Sequence, residues 1–249
     1  MKAIFEMWYS LFKYVGLGPL VWFFARPSID GAERIPPRGP VIIAANHRAE
    51  IDSFVLAFTV RRRLTFIAKL EYFTGTGLRG RIQKWFYEAV GQIPVDRSGG
   101  DAAERALDAA RGVLEAGRAW ALYPEGTRSP DGRLYKAHTG IARVALSSPG
   151  TIIVPVAILG SEKVDPSNSH GWRRGRVHVR VGDPMALGEW EVRRHEPGVY
   201  RELADAVMDR IGELSGQDIT YRYPTQAERD ARDAGMVTDT APGTDPLSD

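Results

Sequence analysis

Pro40-Val41-Ile42-Ile43-Ala44-Ala45-Asn46-His47-Arg48-Ala49-Glu50-Ile51-Asp52 is the stretch that decides the fold. Five apolar residues follow a proline with no charge among them, the pattern of a strand buried on both faces. The chain then turns polar for a few residues, and Asp52–Val60 reads as a helix. A buried strand that runs through a short loop into a helix is the building unit of a layered α/β fold. In such folds the carboxyl ends of the strands present reactive side chains.

Working outward, the same alternation continues. Leu64–Ala68 and Gln92–Val95 read as strands, with a helix over Leu78–Tyr87 between them. Asp101–Ala116 is the clearest helix: Ala103, Ala106, Leu107, Ala110, Val113 and Leu114 recur at helical spacing, and Asp101 is placed to cap it. Trp120–Tyr123 reads as a strand ending at Pro124, Gly140–Leu146 as a helix, and Ile152–Ile158 and Val177–Val181 as strands. Gly198–Leu214 is a last amphipathic helix. The pattern predicts an α/β fold with a mixed, partly parallel sheet flanked by helices, and it shows no internal repeat.

Composition narrows the chemistry. With 249 residues, 43% of them hydrophobic, the chain has material for one sizeable core. It contains no cysteine, which excludes a disulfide framework, a thiolate nucleophile and a cysteine-ligated zinc. The formal charge of +2 is unevenly spread. Residues 224–249 hold two arginines against six acids, a net of −4, so the remainder carries +6. Basic clusters stand at Arg61–Arg63, at Arg79, Arg81 and Lys84, and at Arg173, Arg174 and Arg176. Such clusters suit phosphate head groups, coenzyme A or nucleic acid, or simply a solvated surface.

Residues Ile4–Phe24 are rich in aromatic and aliphatic side chains but are interrupted by Glu6, Lys13, Gly16, Gly18 and Pro19. No apolar run there approaches the roughly 20 residues that span a bilayer, and no secretory cleavage pattern is present. Two short aromatic helices hinged at Gly16–Pro19 are expected to lie in a membrane interface. Three regions follow: a membrane-interface helical segment over 1–26, an α/β domain over 27–217, and a mobile acidic tail over 218–249.

Two motifs carry chemistry. His47 and Asp52 are five residues apart, a spacing that does not share a helix face. They meet only if His47 lies in the loop and Asp52 in the first helical turn. An imidazole held by a carboxylate is a general base with a fixed tautomer. Spacing alone leaves a structural pair capping the helix as the readier alternative. With no cysteine and no G-x-S-x-G elbow, a base here would activate the substrate's own hydroxyl. The second motif, Tyr123-Pro124-Glu125-Gly126-Thr127-Arg128-Ser129, also follows a strand. Gly126 permits unusual dihedrals, neighbouring N–H groups can face an anion, and Arg128 offers a planar fork for phosphate. The alternative is a turn with a surface salt bridge.

In this order the two motifs resemble the glycerolipid acyltransferases related to 1-acylglycerol-3-phosphate acyltransferase, whose pattern is N-H-x4-D followed by F-P-E-G-T-R-S. Tyr123 stands where that family usually has Phe. Gly91–Arg97, Val154–Ile158 and Ala68-Lys69-Leu70-Glu71 resemble further blocks of the same family. The resemblance runs from about Val41 to Ile158. It implies that His47 deprotonates an acceptor hydroxyl, that Asp52 holds His47, and that Arg97, Arg128 and Lys69 grip the acceptor phosphate. Glu125, Gly126 and Thr127 belong to that phosphate loop. The acyl donor is implied to be acyl-coenzyme A or acyl carrier protein. The acceptor is implied to be a phosphate-bearing glycerolipid, lysophosphatidic acid at its sn-2 hydroxyl first, then glycerol-3-phosphate or another lysophospholipid. No metal or redox cofactor and no nucleic-acid partner is expected. The expected location is peripheral, on the cytoplasmic face of the cell membrane.

Three rivals remain. Gly75-Thr76-Gly77-Leu78-Arg79-Gly80 matches a dinucleotide-binding pattern, but Glu71–Thr74 separate it from the preceding strand, where the pattern should follow at once. A non-catalytic lipid- or nucleic-acid-binding protein would not need the His47–Asp52 pair. Zinc binding lacks support, since His138, His170, His178 and His195 show no H-x3-H spacing.

Overall fold

The computed structural model describes residues 17–69, 92–95, 101–167 and 171–233, together with Val15, Thr74 and Gly77. In chain order these form helix α1 (Leu17–Ala25), strands β1 (Ser28–Asp30) and β2 (Val41–Ala45), and helix α2 (Asp52–Thr59). Next come strands β3 (Leu64–Thr65), β4 (Ile67–Lys69) and β5 (Ile93–Val95), helix α3 (Ala102–Glu115), and strands β6 (Ala119–Leu122) and β7 (Leu134–Tyr135). Helix α4 (Gly140–Ser147), strand β8 (Ile152–Leu159), helix α5 (Ser161–Val164) and strand β9 (His178–Val181) follow. The C-terminal part holds helices α6 (Gly188–Val192) and α7 (Val199–Ser215), strand β10 (Ile219–Thr220) and helix α8 (Gln226–Asp233).

The main sheet has six strands in the order β1-β9-β8-β2-β6-β3. Every pairing in it is parallel except β8 with β9. The mixed, mostly parallel sheet flanked by helices is the fold expected from the alternation of elements. β2 sits centrally between β8 and β6, and all five of its residues are buried. Its pleat explains why it is apolar throughout. Val41, Ile43 and Ala45 join a core with Val21 and Ala25 of α1, Val55 and Leu56 of α2, and Val154 and Val156 of β8. Ile42 and Ala44 point the other way, into a core with Val113 and Leu114 of α3, Ile141 of α4, and Leu203, Val207 and Ile211 of α7. The result is a three-layer sandwich with a core on each side of the sheet.

Pro155 occupies an interior position of β8, where a missing N–H normally breaks a ladder. Its carbonyl accepts from Gly182 on the β9 side, so its nitrogen faces that side too. There the antiparallel ladder ends at Val156–Val181 and resumes only with the Ile153–Met185 bridge.

Several details differ from the sequence reading. Leu64–Ala68 is two strands: β3 joins the main sheet, whereas β4 pairs with β5 in a separate two-stranded sheet. Asp101 precedes α3 without a side-chain cap bond, and only its carbonyl takes part, accepting from Arg105. Within the expected tail, β10 pairs with β7 and α8 is helical, so 219–233 carry regular structure; residues 234–249 lie outside the described residues. No apolar periodicity marks that segment: Ile219 packs against the core at Gly212, and the residues after it are held by hydrogen bonds and ion pairs. The expected Leu78–Tyr87 helix, the dinucleotide-like stretch apart from Gly77, and the first of the two N-terminal helices also lie outside the described residues. Among the described residues no helix is long and apolar enough to cross a membrane.

Candidate active site

β2 delivers the chain to Asn46 at its carboxyl end, and this buried amide fixes the exit. Asn46 Nδ2 donates to the Ile158 carbonyl at 3.0 Å, and its Oδ1 accepts from the Ile158 N–H at 2.7 Å. The same Nδ2 donates to Gln217 Oε1 at 2.7 Å. The end of β2 is thereby pinned to β8, and the next residue, His47, starts from a fixed point.

The loop then closes on Asp52. One oxygen of that fully buried carboxylate, Oδ2, accepts three hydrogen bonds: from the Arg48 N–H at 2.8 Å, the Ala49 N–H at 2.9 Å, and His47 Nδ1 at 2.9 Å. Asp52 is the first residue of α2, so the five-residue spacing works because the loop wraps back onto the helix start. A carboxylate acceptor makes Nδ1 the protonated nitrogen and leaves the lone pair on Nε2. The imidazole keeps 17% of its surface open. Its flat side lies on the Tyr123 ring, with centroids 3.8 Å apart and planes 9° apart. Tyr123 is held in turn by a 2.9 Å hydrogen bond between its hydroxyl and Ser53 Oγ. Burial, with Asp52 nearby, raises the Tyr123 phenol well above its ordinary range, so it stays neutral. Asp165 accepts from the Ile51 N–H at 2.9 Å and so caps the loop-to-helix junction from α5's side. Burial raises its carboxyl, and the neighbouring backbone donors partly offset this.

The Tyr123–Ser129 loop is stitched to the same place. Ser129 N–H donates to the His47 carbonyl at 2.7 Å. Arg128 reaches Glu50 with an Nη1–Oε1 distance of 2.9 Å; Glu50 is 72% exposed and Arg128 25%. Gly126 has φ +71, and a Cβ there would lie 2.9 Å from His138 Cδ2, so glycine is required on both counts. Thr127 is partly exposed.

Glu125 is 1% exposed, and its Oε2 accepts from the Tyr135 N–H at 2.9 Å, so the carboxylate braces the loop from within. Burial pushes it up to about 8, against the pull of the Tyr135 and His47 backbone donors and with a further push from Asp52 and Asp131. Lys69 closes β4 opposite Val95, but its side chain lies outside the described residues, as does all of Arg97. Among the described residues no cluster of three or more His, Asp and Glu side chains is placed to hold a metal ion.

His47, Asp52 and Arg128 were expected to converge, and their loops do. Sequence reasoning missed Ser53, Asp165 and Gln217, which hold those residues from other elements. Asn46 was given no role either, although an amide directly at the end of an apolar strand was a signal that could have found it. One expected basic cluster is structural in part: Arg62 donates to the carbonyls of Pro36, Gly39 and Gly117.

The chain is 28% identical over 167 residues to the chloroplastic 1-acyl-sn-glycerol-3-phosphate acyltransferase LPAT1 of Arabidopsis thaliana, across 66% of this chain and 45% of that one. It is 29% identical to the enzyme of that activity from Cocos nucifera, across 73% of this chain and 57% of the relative. It is 31% identical to that from Borreliella burgdorferi, across 66% and 64%. The chain thus spans about half the length of the plant relatives. Among solved structures, the 1-acyl-sn-glycerophosphate acyltransferase PlsC of Thermotoga maritima has the same fold, with a TM-score of 0.58 at 24% identity over 84% of this chain and 81% of PlsC. The family described as Acyltransferase matches residues 26–159, more than half of the chain. That span takes in the His47–Asp52 turn, the Tyr123–Ser129 loop and all of β8, and this chain belongs to the acyltransferase family.

Proposed function

We propose that this chain is a glycerolipid O-acyltransferase that moves a fatty acyl group from acyl-coenzyme A or acyl carrier protein to the sn-2 hydroxyl of lysophosphatidic acid, giving phosphatidic acid. The observation that carries this reading is the hydrogen bond from Ser129 to the His47 carbonyl, beside the His47–Asp52 bond. It sets a poised imidazole next to the loop that presents Arg128. A base and a phosphate fork side by side suit a substrate with a hydroxyl near a phosphate.

In this mechanism His47 Nε2 takes the proton of the acceptor hydroxyl as its oxygen attacks the thioester carbonyl. Asp52 stabilises the imidazolium that forms. The tetrahedral intermediate collapses, the carbon–sulfur bond breaks, and the thiolate leaves with the proton returned from Nε2. The products are an ester and a free thiol, and no residue of the chain is acylated. The step needs no metal or redox cofactor. Arg128 exchanges its exposed partner Glu50 for the acceptor phosphate, joined by Arg97 and Lys69, which the family resemblance assigns to that site.

The enzyme works at the cytoplasmic face of a membrane as a peripheral protein. Exposed Leu20, Trp22 and Phe23 on α1 support the contact with a membrane surface, as does Arg174 lying 4.2 Å over the Phe23 ring.

The test is an assay of the purified protein with one acyl-coenzyme A, a panel of lysophosphatidic acid, glycerol-3-phosphate and lysophospholipids with larger head groups, and positional analysis of the product. Lysophosphatidic acid acylated at sn-2 with the highest kcat/KM is expected. Preference for glycerol-3-phosphate or a larger head group would replace the acceptor, and no acyl transfer to any of them would overturn the reading.

A further inference from the structure

Residues Gln217–Asp233 are polar, yet they grip the loop that presents Arg128 from its outer side. Gln217 donates its Nε2–H to the Gly132 carbonyl while its Oε1 accepts from Asn46, joining the loop to the end of β2. Ile219 and Thr220 of β10 pair with Leu134 and Tyr135 of β7. The Tyr223 ring stacks on His138 with centroids 4.9 Å apart, and His138 is the ring against which Gly126 packs. At the far end Arg232, only 6% exposed, donates Nη1–H to the carbonyl of Arg128 itself at 2.6 Å.

α8, which carries Arg232, is set by a reciprocal capping box. Thr225 N–H donates to Glu228 Oε2 at 2.7 Å, and Glu228 N–H donates to Thr225 Oγ1 at 3.2 Å. Arg222 pairs with the same Glu228. Directional bonds of this kind hold one geometry, whereas apolar packing would tolerate sliding.

We infer that Gln217–Asp233 is a strap that sets the backbone of the Gly126–Ser129 loop, with Arg232 as the positioning residue that fixes the peptide from which the Arg128 side chain departs. The inference rests on the reading of Arg128 as the ligand of the acceptor phosphate. Arg232 does not touch substrate in this account. It acts through the Arg128–Ser129 peptide, whose N–H stays bonded to the His47 carbonyl, so its loss is felt chiefly in acceptor binding.

The experiment uses the full chain with Arg232→Met, which keeps the hydrocarbon length and removes the donors, and with Arg232→Lys, which keeps a charged donor. Initial rates are measured against lysophosphatidic acid and against acyl-coenzyme A, and amide hydrogen exchange is followed over residues 124–138. For Arg232→Met the acceptor KM should rise about tenfold, as expected if the freed loop presents Arg128 in its binding geometry about a tenth of the time. The kcat, the acyl-coenzyme A KM and the thermal midpoint should stay close to wild type. Exchange at Thr127–Arg133 should quicken, and Arg232→Lys should recover most of the loss.

An unchanged acceptor KM with unchanged exchange overturns the strap. So does a uniform fall in kcat with a lowered midpoint, which marks a merely structural residue. If Arg232→Met does not fold, a chain ending at Pro224 removes α8 and must show the same two effects; wild-type behaviour there is equally fatal. A wild-type protein inactive on every acceptor refutes the proposed function instead, and the exchange measurement still decides whether the strap holds the loop.

Discussion

Asp52 and Glu125 are both buried acids of this site, and each keeps one oxygen without a hydrogen-bond partner among the described residues. Asp52 receives two backbone N–H groups and an imidazole N–H on one oxygen. On its bonded oxygen Glu125 accepts from the Tyr135 N–H. The burial of Glu125 has a pH signature. Burial raises the Glu125 carboxyl from 4.5 to about 8, so the folded chain holds this proton more tightly than the unfolded chain. The stabilisation is complete below the unfolded value and is lost as pH rises through about 8. Glu125→Gln, neutral at all pH, should therefore gain stability relative to wild type between about pH 5.5 and pH 8.5, read as the difference between their thermal midpoints. Parallel midpoint curves would show that folding does not tighten the hold of Glu125 on its proton.

At the scale of elements, sequence and structure agree where burial is periodic. β2, α3, α4, β8 and α7 were legible because apolar residues mark one or both of their faces, and each ends within two residues of its expected place. The turn between β2 and α2 was legible for a different reason: an apolar strand ran directly into Asn46-His47, and only a loop allows His47 to meet Asp52. Short elements such as β7, β10 and α5 were not legible, since two to four residues hold no period. α8 was missed because its contacts are polar: the Arg222–Glu228 pair and the Thr225–Glu228 box are local, and Arg232 reaches the Arg128 carbonyl from 104 residues away. The supporting residues of the site share this invisibility. Asp165 and Gln217 reach the His47 loop from 114 and 171 residues away, to Ile51 and Asn46 respectively, and no local pattern announces such partners.

At the scale of the whole molecule, α1 faces two ways. Val21 and Ala25 are buried against α2, while Leu20, Trp22 and Phe23 are exposed at 46%, 61% and 45%. Removing the N-terminus would therefore uncover core, and the membrane reading is better tested from the outer face. Leu20→Gln with Trp22→Gln should weaken binding to anionic vesicles about tenfold or more, from lost apolar burial, with the thermal midpoint little changed. Equal vesicle binding by the double variant would remove α1 from the membrane contact.

The same three-layer body brings the His47–Asp52 loop and the Tyr123–Ser129 loop together at the carboxyl ends of β2 and β6, where α/β sheets place their ligands. It makes His47 Nε2 the pivot of the whole account. The most direct measurement of that claim is the turnover of lysophosphatidic acid by purified wild-type protein and by His47→Ala under the same conditions, with folding of the variant checked by its thermal midpoint. A fall of about 10²–10⁴-fold in kcat is predicted for the loss of a general base. Near-normal turnover by a folded His47→Ala protein would contradict it.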